Sequence, residues 1–75
     1  MKEQILALLN EALPQIDFLA SDSMVDDGIL DSLSIVTLVS ELSMEFGITF
    51  DMESLMPENL NSIDAIVETV KSLQK

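Results

Sequence analysis

The sequence contains no cysteine, histidine, tyrosine, tryptophan or arginine, and its only basic residues are three lysines. Without cysteine, neither a disulfide framework nor a thiolate metal site can form. A nucleophilic serine needs a neighbouring base, and among the usual candidates only Lys2, Lys71 and Lys75 are present. We therefore predict no catalytic residues and a chain that is not an enzyme.

Carboxylates are the remaining candidates for chemistry. Asp26 and Asp27 are adjacent, but a loop of a small bundle offers little means of raising the pKa of one above the other, so an acid–base role is not expected. Together with Asp22 and Asp31 they could attract a divalent cation. Their spacing does not fit the alternating oxygens and final glutamate of a calcium loop. We predict no metal site.

Positive charge is scarce. Fourteen acidic residues against three lysines give a formal net charge of −11, which repels nucleic acid and anionic membrane surfaces. The same charge favours partners with basic docking faces and speeds those encounters. The alternative interpretation is that the acidity only aids solubility.

Long hydrophobic runs are also lacking, so no membrane span is expected. The N-terminus enters a helical pattern directly, with no signal-peptide architecture, and a cytoplasmic location is the default. The length of 75 residues predicts a single domain over 1–75, and a monomer is expected. With 48% hydrophobic residues, the chain should fold.

Apolar residues recur at helical spacing in three segments, and no strand pattern competes. The first helix is predicted over about residues 2–13, ending before Pro14. The second is predicted over about 32–46, with Asp31 as its N-cap and Gly47 ending it in the left-handed conformation. The third begins at Asn61 or Ser62. Lys71 and Lys75 lie at its C-terminal end, where the helix dipole favours cations.

Two connections join these helices. Residues 14–30 show no helical period but are rich in apolar side chains, so this loop should lie across the core. A turn at Gly28 precedes the second helix. Asp51 is predicted to cap a short helical turn that carries Leu55 and Met56 and ends at Pro57. The predicted fold is all-α, with three long helices, one short helix and a long first loop.

Ser32 has a distinctive position among the nine serines, at the start of the longest helix. An anion attached to its hydroxyl would lie near the positive end of the helix dipole and the free N–H groups of the first turn. The alternative is that Asp31 and Ser32 form an ordinary helix start, since both residue types are common there.

The surrounding segment resembles the attachment motif of the acyl carrier protein family, and the order of helices and loops resembles that family over the whole chain. The motif here reads Asp27-Gly28-Ile29-Leu30-Asp31-Ser32-Leu33. The resemblance implies that a magnesium-dependent transferase attaches 4′-phosphopantetheine from coenzyme A to Ser32, with Asp31 and Leu33 beside it. It also implies that the thiol of this cofactor carries an acyl or aminoacyl group as a thioester.

Two further sets of residues are candidates for a carrier's contacts. A partner-docking face on the second helix is predicted to contain Val36, Glu41, Met44 and Glu45. A sheltering pocket for an acyl chain is predicted to be lined by Leu42, Phe46, Ile48, Leu55 and Ile63. Val36 was also considered for this lining. The alternative for all six lining candidates is plain core packing.

The cargo is left open between two kinds of carrier. Fatty-acid carriers usually show a strongly acidic second helix, whereas this helix has Ser34, Thr37, Ser43 and Met44 where acids are expected. The long segment from Phe46 to Ile66 is closer in spacing to D-alanyl carriers, which are loaded by an adenylating ligase. The expectation is an acyl carrier of fatty acid, polyketide or related biosynthesis, with a D-alanyl or other aminoacyl carrier as the alternative. An unmodified acidic interaction module is the alternative of another class.

Overall fold

The computed structural model describes residues 1–74, and in that range the chain is all-α, as predicted. The four helices are α1 (Lys2–Ala12), α2 (Ser32–Phe46), α3 (Pro57–Leu60) and α4 (Ile63–Leu73). Helix α1 packs against both α2 and α4, and α3 packs against α4. None of these helices has the length and apolar content needed to cross a bilayer. Lys75, which was expected at the C-terminal end of the last helix, lies outside the described residues.

The helix ends follow the local chemistry of the sequence. Helix α1 ends one residue before the predicted limit because Leu13 precedes Pro14 and adopts a φ of −131°. Helix α2 ends at Gly47, whose φ of 63° is left-handed, as predicted. Of the two candidates for the start of α4, Ser62 is the cap, and its hydroxyl accepts a 3.0 Å hydrogen bond from the Ala65 N–H.

The prediction for the short helix was wrong in its position. Asp51 does cap a turn, and its Oδ1 accepts hydrogen bonds from the Ser54 N–H at 2.8 Å and the Ser54 hydroxyl at 2.7 Å. Helix α3, however, begins at Pro57 instead of ending before it. Proline is well suited to the first helical position because the N–H that it lacks has no partner there.

The core is formed by all four helices and by the first loop. Loop residues Ile16, Phe18, Met24 and Leu30 are buried beside the apolar faces of the helices, which confirms that the loop lies across the core. Leu19 differs from its neighbour Phe18, since 64% of it is exposed. The buried helical residues are Ile5, Leu9, Leu38, Leu42, Leu60, Ile63, Ile66, Val67, Thr69 and Val70. The loop is therefore a structural component of the fold and not a flexible linker.

Candidate functional site

Ser32 is the first residue of α2 and is exposed. Its neighbour Asp31 has extended backbone (φ −89°, ψ −177°), and its Oδ1 accepts a 2.8 Å hydrogen bond from the Ser34 N–H. This cap fixes the direction in which α2 begins, and it satisfies one of the free donors of the first turn. The Ser32 side chain takes part in no hydrogen bond among those described for residues 1–74, so its hydroxyl is open to a partner.

The carboxyl of Asp31 is stabilised as a carboxylate. The hydrogen bond from the Ser34 backbone N–H is the main cause that holds the pKa of Asp31 below its ordinary value of 3.8, with the Ser34 hydroxyl and the Leu33 N–H contributing. Asp31 is therefore negative at neutral pH, and its carboxylate serves as the N-cap of α2. It has no raised pKa that would suit it to accept the proton of Ser32.

A turn formed by residues 24–30 leads into Ser32. The Leu30 N–H donates to the Met24 carbonyl at 2.9 Å, and the side chains of both residues are buried. Within the turn, Gly28 has a φ of 79°, a conformation that favours glycine. The buried Met24 and Leu30 fix the two ends of the turn, while residues 26–29 between them are exposed.

Three apolar side chains are exposed along α2, two near its start and one near its end. Leu33 is 79% exposed, Val36 62% and Met44 74%, and their spacing of three and eight residues places them on one side of the helix. Glu45 is exposed and Glu41 is half-buried, at the edge of a cleft of about 230 Å³ between α1 and α2. The four predicted docking residues thus lie on the accessible surface, and Leu33 extends the apolar stripe to Ser32. Their role in docking stays a prediction.

The predicted lining residues do not share one environment. Leu42, Ile48 and Ile63 are buried core residues, and Phe46 is half-buried against that core. Leu55 is 37% exposed because it lies in the turn before α3, while Leu60 of α3 is fully buried. Leu55 and Val36 therefore lie nearer the surface than the other four candidates. The lining role of all six residues stays a prediction. The cleft between α1 and α2 and the cleft beside α3 and α4 contain none of these residues.

Asn61 has a structural role that was not predicted from the sequence. It was considered only as a helix cap, but its side chain contacts the backbone of the turn that precedes Ser32, 35 residues away. Spacing along the sequence carries no signal for a contact of this kind. Asn59 was also missed: its Nδ2 donates to the Glu53 carbonyl at 2.8 Å, and its own carbonyl accepts from the Thr69 hydroxyl at 3.1 Å.

Ser32 thus combines an exposed side chain, the first position of a 15-residue helix and an ordered preceding turn. Comparison with known proteins shows which family has this arrangement. The family model described as "Phosphopantetheine attachment site" matches residues 3–70, and the chain belongs to this family.

Three relatives that match the chain are all named D-alanyl carrier protein. The protein of Streptococcus suis is 30% identical over 74 residues, which cover 97% of this chain and 94% of that protein. That of Streptococcus uberis is 40% identical over 53 residues, covering 71% and 67%. That of Streptococcus mutans is 25% identical over 75 residues, covering 99% and 95%. No solved structure matches the chain.

These comparisons confirm that the chain is a carrier protein with 4′-phosphopantetheine as its covalent cofactor, and that it is not an enzyme. Independently of the comparisons, the residues around Ser32 fit the phosphate group of this cofactor. The hydroxyl is exposed, and the first-turn N–H groups of a 15-residue helix lie beside it. A phosphodiester is a group that such a helix end accommodates well.

Proposed function

We propose that Ser32 is the attachment residue and that the attached arm carries D-alanine, loaded by an adenylating ligase and delivered to a downstream transferase. Attachment forms a bond between the Ser32 oxygen and the phosphorus of the pantetheine phosphate, and the nucleotide part of coenzyme A leaves. Because the described residues 1–74 place no suitable base beside Ser32, the transferase must accept the serine proton. When bound, the arm supplies a thiol that holds its cargo as a thioester.

The single observation that carries the attachment is the position of Ser32. It is exposed at the first position of α2, directly after the Asp31 cap and the ordered 24–30 turn. The Asp31 carboxylate accepts a hydrogen bond from the Ser34 N–H, which stabilises it within the first turn and leaves the Ser32 hydroxyl out of the cap. The hydroxyl can then accept a phosphate without displacing an interaction that holds α2 in place.

Two observations favour D-alanine as the cargo. The three matching relatives are all named D-alanyl carriers, and the Streptococcus suis protein matches nearly end to end. In addition, Leu42, Ile48 and Ile63 are packed into the core. A long acyl chain would have to displace some of this packing, at a cost in free energy, whereas D-alanine requires no interior space.

An acyl cargo is the second candidate. Leu33, which directly follows Ser32, is the residue expected from the acyl-carrier form of the motif, and it is 79% exposed beside the attachment point. For either cargo, partner enzymes are proposed to contact the exposed face of α2 around Leu33, Val36 and Met44. Glu41 and Glu45 lie along its edge and would meet basic groups of the partner.

The attachment is tested by incubating the purified protein with coenzyme A, magnesium and a broad-specificity phosphopantetheinyl transferase. Intact-mass analysis should show one added phosphopantetheine. The Ser32→Ala variant should show none, while Ser40→Ala, which changes another exposed serine of α2, should be modified like the wild type. Modification of Ser32→Ala, or no modification of the wild type, would contradict the proposal.

The cargo is tested on the modified protein. The modified protein is incubated with ATP, D-alanine and the D-alanine-adenylating ligase of one of the three Streptococcus species. The mass of the carrier should increase by one alanyl group. That increase should be reversed by hydroxylamine, which cleaves thioesters. A parallel reaction with a fatty acid and an acyl-activating ligase should give little product. If the carrier is loaded with the fatty acid and not with D-alanine, the cargo is an acyl group, as in the second candidate function.

A further inference from the structure

Asn61 connects the first loop to the junction between α3 and α4. Its Oδ1 accepts hydrogen bonds from the Val25 N–H at 2.8 Å and the Asp26 N–H at 3.1 Å, and its Nδ2 donates to Asp26 Oδ2 at 3.0 Å. Its backbone carbonyl accepts from the Met24 N–H at 2.8 Å. These four hydrogen bonds, here called the Asn61 contacts, involve three consecutive residues of the loop.

The Asn61 contacts are the loop's long-range polar connection. Among the hydrogen bonds described for residues 1–74, every one that joins residues 14–30 to a residue after position 30 involves Asn61. The remaining bonds of the loop are local, such as those from Asp27 to Ser23 and from Leu30 to Met24. Apolar burial holds Phe18 and Leu30 in the core, but it does not by itself fix the backbone direction of the exposed residues 26–29.

The side-chain chemistry at this position is specific. The two converging N–H groups donate to one acceptor and the Asp26 carboxylate accepts from one donor, so the amide can make all three bonds in one orientation only. Alanine would supply neither group. Aspartate would keep the acceptor but would place a second carboxylate against that of Asp26.

The 24–30 turn ends one residue before the Asp31 cap, so its conformation determines which surface lies beside the Ser32 hydroxyl. We propose that Asn61 is a positioning residue for modification at Ser32: it holds the 24–30 turn in the conformation that the transferase binds. The inference rests on the proposed attachment at Ser32. Asn61 does not contact the reacting atoms and acts through the turn.

A loss of the Asn61 contacts should affect binding more than chemistry. A turn that adopts several conformations must be ordered when the transferase binds, and that ordering weakens the complex. Once the complex has formed, the Ser32 hydroxyl and the Asp31 cap are unchanged. The KM for the unmodified carrier should therefore rise about tenfold in Asn61→Asp, which corresponds to about 1.4 kcal/mol, while kcat stays within about twofold.

A paired substitution provides the rescue. In the double variant Asn61→Asp with Asp26→Asn, the carboxylate at position 61 still accepts the two N–H groups, and the amide at position 26 supplies the missing donor. The KM should return to within about threefold of the wild-type value. Asn10→Asp, on the exposed surface of α1, adds the same charge elsewhere and should leave the KM unchanged.

The experiment measures transferase kinetics on the four proteins at a temperature where circular dichroism shows all of them folded, together with hydrogen exchange of the Val25 and Asp26 amides. Asn61→Asp should lose protection at these two amides, and the double variant should regain it. A wild-type KM in Asn61→Asp, or a fall in kcat alone, would overturn the positioning role even if that variant melts at a lower temperature. If the wild type itself is not modified, the proposed function fails, and this inference fails with it.

Discussion

Phe18 provides a direct measure of how far the first loop contributes to the fold. Its side chain is among the largest that are fully buried, with 1% exposed, although it lies outside every helix. Replacing a buried phenylalanine with alanine costs about 3–5 kcal/mol through lost transfer free energy and the cavity left behind. A chain of 75 residues has a total free energy of unfolding of about 4–11 kcal/mol. Phe18→Ala should therefore remove a large part of the stability.

The adjacent residue gives a matched control. Leu19 is 64% exposed, so Leu19→Ala should change the free energy of unfolding by less than about 0.5 kcal/mol. Phe18→Leu, which keeps most of the apolar volume, should give an intermediate loss.

Urea unfolding followed by far-UV circular dichroism is the suitable assay, because the chain lacks tryptophan and tyrosine for fluorescence. The midpoint should fall strongly for Phe18→Ala and hardly at all for Leu19→Ala. Equal, small effects of the two alanine substitutions would refute the conclusion that the loop is part of the core.

Two further predictions concern the ends of helices. Gly47→Ala should destabilise the protein by about 1 kcal/mol, because an alanine at a φ of 63° is strained. The added Cβ would meet nothing within 4 Å, so the loss would come from the backbone conformation and not from a clash. An unchanged or higher melting temperature would contradict this. Asp31 and Asp51 both have pKa values lowered from 3.8, mainly by hydrogen bonds from the backbone N–H of Ser34 and the side chain of Ser54, respectively. Their contribution to stability is fully present above the unfolded value of 3.8 and is lost as the pH falls through the lower folded values. Asp31→Asn keeps a capping oxygen but not the charge, so it should be slightly less stable than the wild type at neutral pH and lose less stability on acidification. Identical acid profiles would show that the ionisation of Asp31 does not contribute to stability.

The helices could be predicted because their signals are local. Asp31, Gly47 and Ser62 each act on groups within four residues along the chain, and the apolar spacing of α4 matches its buried residues. The short helix was misplaced because Pro57 permits two interpretations. Proline can follow the end of one helical turn or occupy the first position of the next, and the choice depends on the packing of Leu60 into the core.

For the candidate site, as for the helices, the features with local signals could be predicted and the long-range contacts could not. Ser32 could be identified from its position at the start of a long helix and from the motif around it. The lining candidates could not be separated into core and surface, because the partial exposure of Leu55 and the full burial of Leu42 depend on how the helices pack. The Asn61 contacts could not be predicted at all. A side-chain amide that bonds to backbone 35 residues away has no periodic or compositional signature.

The separation between Asn61 and the turn that it contacts has a consequence for biosynthesis. All of α2 and α3 lies between these two parts of the chain, so a ribosome synthesises the serine well before it synthesises the asparagine. Until residue 61 has left the exit tunnel and docked, the segment that leads into Ser32 lacks its long-range hydrogen bonds. We expect a nascent chain that ends before Asn61 to be a poor substrate for the transferase, so that the cofactor is added after the fold is complete and not during translation.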